Sequence, residues 1–77
     1  MSERLLYTDT KIKRSWMNID GELYLRDNNI NQSFKMTKDN INEKLVQMDK
    51  TKNTLIGHND FIDDMIAFFK KGLDYCP

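Results

Sequence analysis

Asp49 and Asp60 bracket the stretch of this chain whose residue types and spacing could do chemistry. The segment MDKTKNTLIGHNDF, residues 48–61, opens on one acid and closes near another. Between them lie short polar side chains, two lysines and few apolar groups, and Phe61 follows at once. Such a pattern suits a metal-binding loop, the remains of one, or a plain connection between two helices. His58 falls inside the stretch, where a solvent-facing imidazole is expected. The chain's one cysteine, Cys76, lies next to its last residue. His58 and Cys76 lack a third residue to orient them, so nucleophilic catalysis is not expected. The sequence reads as a non-enzyme.

The elements that must position these residues are built from 77 residues, a length that suits one domain, 1–77. A lone cysteine fits a reducing compartment and excludes a disulfide framework. The longest apolar run, Met65 to Phe69, is far short of a membrane span or a signal-peptide core. These features point to a cytoplasmic protein without a membrane partner. Lys+Arg and Asp+Glu are equal at 12 each, which argues against a dedicated nucleic-acid binder. The basic groups are biased toward residues 1–38 and the acidic ones toward 39–77.

The last third has the clearest pattern. Asp60 is a candidate N-cap. Phe61, Ile62, Met65, Ile66, Phe68, Phe69 and Leu73 share one helical face, opposite Asp63, Asp64, Lys70 and Lys71. Gly72 is a natural residue to end the element, so a helix is predicted over about 60–71. Upstream, Thr37 can cap a helix over roughly 38–49, with Ile41, Leu45 and Met48 at i, i+4 and i+7. The first half is open to two readings. Asp20-Gly21 between apolar-containing runs is a hairpin signal, and that hairpin would set Trp16 opposite Leu25 and Met17 opposite Tyr24. The same letters also suit two helices, one lined by Leu5, Ile12 and Trp16 and the next by Ile30 and Phe34.

The stretch Thr37 to Met65, TKDNINEKLVQMDKTKNTLIGHNDFIDDM, resembles the second hand of a calmodulin-like lobe of the EF-hand superfamily. The resemblance sets Asp49 at loop position 1, Thr51 at 3, Asn53 at 5, Leu55 at 7, Ile56 at 8, Gly57 at 9 and Asp60 at 12, with Phe61 just beyond. A weaker match sets Gly21 at position 6 of a first loop, with Asn18, Asp20, Leu23 and Asp27 at 3, 5, 8 and 12, and Trp16 at 1, where it cannot ligate a cation. Because hands occur in pairs, the resemblance favours the helical reading of the first half. It implies an all-α fold: one EF-hand pair of four helices in two helix–loop–helix units, 1–36 a degenerate first hand and 37–72 the second. Leu23 and Ile56 would form a short antiparallel bridge between the loops.

That comparison also implies a loop that does not hold calcium. Lys50 and Lys52 cancel Asp49 and Asp60, Asp60 is a methylene shorter than the usual closing glutamate, and Thr54 stands where glycine is usual. No cofactor is expected, and calcium binding should be weak or absent. A lobe of this kind would present Met36, Ile41, Leu45, Met48, Met65 and Phe69 as a groove for an amphipathic helix, although most of these residues are expected to pack internally. The nearest resemblance is to small single-lobe light chains of class I myosins. It implies a calcium-insensitive, cytoskeleton-associated clamp, monomeric when free, on a basic IQ-motif helix of a myosin heavy chain.

Two other classes compete with it. One is a small two-hand calcium sensor or buffer. The other is an α+β adaptor or nucleic-acid module built on the Asp20-Gly21 hairpin, in which Lys11, Lys13 and Arg14 beside Trp16 could meet phosphates and bases.

Overall fold

A computed structural model describes residues 2–54 and 60–76 of the chain. It is an α+β fold. Four strands precede two helices: β1 Glu3–Asp9, β2 Arg14–Ile19, β3 Glu22–Asp27, β4 Gln32–Lys35, α1 Lys38–Thr54 and α2 Asp60–Asp74. The strands form one antiparallel sheet in the order β1-β2-β3-β4. This overturns the all-α EF-hand pair expected for the chain. Residues 1–36 are not a degenerate first hand, since those described form the sheet and its turns.

Local backbone chemistry explains the outcome. Asp20 and Gly21 both take positive φ, 55° and 86°, the two-residue turn whose twist matches paired strands. The Asn18 side chain accepts the Gly21 N–H at 3.0 Å and steadies the turn. Trp16 pairs with Leu25 and Met17 with Tyr24, the register that the hairpin reading implied. The other two turns use the same left-handed conformation at Lys13 and Asn31. Asp9 closes the first of them, its Oδ1 accepting the N–H groups of Lys11 and Ile12. A helical reading of residues 1–36 cannot accommodate three such left-handed breaks.

Residues directly opposite one another share a sheet face. One cross-strand row is Tyr7, Trp16, Leu25 and Phe34. A register shift between Leu5 and Tyr7 inserts Leu6, so that both Leu6 and Tyr7 pack against the core. Both helices cover this side. The core joins Ile12, Trp16, Leu23 and Leu25 to Ile41, Phe68 and Phe69. The other face carries the row Leu5, Met17, Tyr24 and Lys35, of which Met17 alone is buried.

Both helices form where the periodicity places them, and both run further. Thr37 caps α1 as predicted, its Oγ1 accepting the Asn40 N–H at 3.2 Å. The helix passes the predicted end near residue 49 and continues to Thr54. α2 passes Gly72, which lies buried within its last turn rather than beyond it. The reason is tertiary: Trp16 occupies the space where a Cβ of residue 72 would stand.

Candidate partner-binding surface

Of the residues assigned to the degenerate loop, the three before Thr54 lie on a helix. Asp49, Thr51 and Asn53 lie on α1, where a step of about 100° per residue turns Thr51 away from Asp49 and Asn53, so the three cannot close around one ion. The Thr51 hydroxyl donates back to the Gln47 carbonyl at 3.0 Å, a bond internal to the helix. Lys52 reaches across to Asp63 of α2 at 2.6 Å, tying the two helices together. The hydrogen bond to Asp63, then its charge, raises the Lys52 pKa. Asp60 begins α2. Leu55, Ile56, Gly57 and His58 lie outside the described residues. Among the described residues, no group of three or more His, Cys, Asp or Glu is placed to hold a metal ion.

Half of the expected loop bridge lies outside the described residues. Leu23 is a buried β3 residue of the core and lies in no loop, while its expected partner Ile56 is not described. The six groove residues do come together at the core, with Leu45 at its margin and reaching the surface. Ile41 and Phe69 are buried, and Met36, Leu45, Met48 and Met65 pack around the same core.

The basic cluster around Trp16 is dispersed by the fold. Lys11 and Lys13 are exposed in the β1–β2 turn. Arg14 donates to the Ile12 carbonyl at 2.9 Å and pairs with Asp27 at 3.6 Å. Trp16 has no exposed surface, so its ring is not available to stack on a base. Its indole N–H instead donates to the Phe68 carbonyl at 2.9 Å, and its ring stacks on Phe68 at 4.9 Å.

Cys76 borders a cleft of about 250 Å³ together with Glu22, Leu23, Lys35, Met36, Thr37 and Lys38. Burial pushes its thiol pKa up, outweighing the opposite pull of Lys38. Its Sγ donates to the Gly72 carbonyl at 3.5 Å. A neutral, hydrogen-bonded thiol is a poor nucleophile.

The outer side of the helix pair offers a different arrangement. Leu45, Val46 and Asp49 of α1 face Ile66 and Lys70 of α2 across an open cleft of about 260 Å³. Val46 is 54% exposed, a large fraction for an aliphatic residue beside two other apolar side chains. Asp49 and Lys70 put opposite charges at the rim of an apolar floor. Helical periodicity does not reveal this site, because Val46 falls off the Ile41–Leu45–Met48 stripe. The available signal was the adjacent pair Leu45-Val46, whose second member the stripe leaves without a role.

The chain matches no protein-family model, no curated protein and no solved structure. Fold and surface together define a small antiparallel α+β unit with a charged-rimmed apolar cleft on its helical side. No helix among the described residues is long and apolar enough to cross a membrane.

Proposed function

We propose that this protein is a small non-catalytic adaptor that binds a partner protein through the outer cleft between α1 and α2. The observation that carries the proposal is Val46, more than half exposed over a floor shared with Leu45 and Ile66 and flanked by Asp49 and Lys70. An amphipathic partner helix fits this chemistry. One apolar side chain would fill the cleft, a basic residue would meet Asp49, and an acidic residue would meet Lys70. A nucleic-acid role is less favoured, since Trp16 is buried and Arg14 is held by Asp27.

Selection from a displayed library of helical peptides tests the proposal. Enriched peptides should shift the amide resonances of Leu45, Val46, Asp49, Ile66 and Lys70. Val46→Asp should weaken their binding about tenfold or more while leaving the far-UV circular dichroism unchanged. Peptides that map to the sheet, or that bind the variant equally well, would refute it.

A further inference from the structure

The row Tyr7–Trp16–Leu25–Phe34 crosses the helix-side face of the sheet, and its first three members pack into the core or against it. Phe34, the last, is 47% exposed. Beyond it lies the outer edge of β4, which pairs with β3 alone in the sheet. All four β4 residues are exposed.

The backbone direction at this edge follows from one hydrogen bond. The Met36 N–H donates to the Leu23 carbonyl at 2.9 Å. Alternation along an antiparallel ladder then turns the peptide groups of Phe34 and Gln32 toward β3, and those of Ser33 and Lys35 outward.

We propose that a second copy of this chain pairs on this edge, β4 antiparallel to β4, with the twofold axis at Phe34. In this register Ser33 of each copy lies opposite Lys35 of the other, and their outward peptide groups exchange backbone hydrogen bonds. The two Phe34 residues meet as a non-hydrogen-bonded pair, the kind with Cα atoms only about 4.5 Å apart, and each ring covers the other. The apolar row then continues across the interface. A register centred on Lys35 would oppose two ammonium groups. One centred on Ser33 would set Phe34 against Gln32 and leave the ring uncovered. Phe34 is therefore the centre that joins apolar to apolar and avoids like charges.

The two edges of the sheet differ in their protection. β1 carries the irregularity at Leu6, a common device against edge pairing. β4 is regular. Its one lysine, a usual guard, is drawn back across β3 by Glu22 at 2.9 Å, on the face opposite Phe34. The short strand limits the interface to a weak, concentration-dependent dimer in place of the monomer expected from the sequence. A twofold axis perpendicular to the sheet keeps both helix layers on one side. The dimer would thus present two α1–α2 clefts together, although it stands on its own whether or not those clefts bind a partner.

Sedimentation equilibrium of the full chain, from low micromolar to millimolar, tests the proposal alongside amide hydrogen exchange. The wild type should shift from monomer to dimer. Protection of the Ser33 and Lys35 amides should rise with concentration, while the Phe34 amide, bonded to β3, is protected throughout. Ser33→Pro removes an outward donor that the monomer does not use, and Phe34→Asp sets two carboxylates on the axis. Each should weaken the dimer about tenfold or more with the circular dichroism of the monomer retained. A wild type that stays monomeric to millimolar, or a dimer that both variants leave intact, would overturn the proposal.

Discussion

The indole of Trp16 lies against the backbone of Gly72, filling the space that any side chain at residue 72 would need. The same indole donates its N–H to the Phe68 carbonyl one turn earlier, stacks on the Phe68 ring and meets Phe69 edge-on at 5.8 Å. One β2 residue thus fixes both the height and the rotation of α2 on the sheet. A glycine inside a helix costs about 1 kcal/mol relative to alanine. Here it is retained because the close approach of the sheet requires it.

Gly72→Ala should therefore destabilise the protein, against the usual sign for glycine in a helix. Overpacking of this kind typically costs ~1–3 kcal/mol, enough to outweigh the propensity gain of about 1. Urea unfolding monitored by tryptophan fluorescence would show it. A stabilised variant would mean that the indole and α2 do not approach as closely as described.

Gly21→Ala provides the contrast. Nothing lies within 4 Å of a Cβ at that position, so only the positive φ is strained. The expected loss is about 1–2 kcal/mol, with the core unchanged. Retained near-ultraviolet dichroism beside a lowered urea midpoint would distinguish this backbone effect from a packing defect.

Val46→Asp and Ile41→Ala separate the two sides of α1. Val46 is exposed and outside the core cluster, so its replacement should change stability by no more than about 0.5 kcal/mol. Ile41 is fully buried, and truncating it should cost ~2–5 kcal/mol. Equal losses in denaturant titrations would contradict the assignment of inner and outer faces.

Alkaline pH should erode stability in an ordered way. Burial raises the Cys76 pKa above its ordinary 9.0. The hydrogen bond to Glu22, then its charge, raises Lys35 above 10.5, and Asp63 does the same for Lys52. In each case the folded state holds the proton more tightly than the unfolded state. The contribution is complete below the ordinary value and is lost as pH rises through the folded one. Thermal unfolding should thus be flat in these terms up to about pH 9 and decline above it, first through Cys76 and then through the lysines. Cys76→Ser should remove the earlier part of the decline. The Cys76 thiol should also alkylate more slowly at pH 8 than a free cysteine.

Calcium should leave the protein unchanged. Thr51 is turned away from Asp49 and Asn53 on α1, so the melting temperature in millimolar calcium should equal that in chelator. A rise of several degrees would show that the residues between α1 and α2 assemble a site after all.

Much of the fold was written in local sequence. The Asp20-Gly21 pair carried its turn, and with it the Trp16–Leu25 and Met17–Tyr24 register, because those two residues tolerate positive φ and a two-residue turn leaves one pairing for its flanks. Thr37 carried its cap, and the spacing of Met65, Phe68, Phe69 and Leu73 carried α2. The EF-hand resemblance misled because Asp49, Thr51 and Asn53 hydrogen-bond and solvate as well on a helix as in a loop. Their letters do not state where α1 ends.

What the tertiary structure decided was which surfaces meet. The same Met, Leu, Ile and Phe positions could line an open groove or a closed core, and only the presence of a sheet under the helices made them core. Whether Gly72 ended a helix or lay within one depended on Trp16, 56 residues away in the chain. Val46 joins Ile66 in one cleft, and Phe34 is left at an uncovered edge, for the same reason. Local sequence sets torsions and periodicity over a few residues. Local periodicity says which face is apolar, while what covers that face is a property of long-range packing.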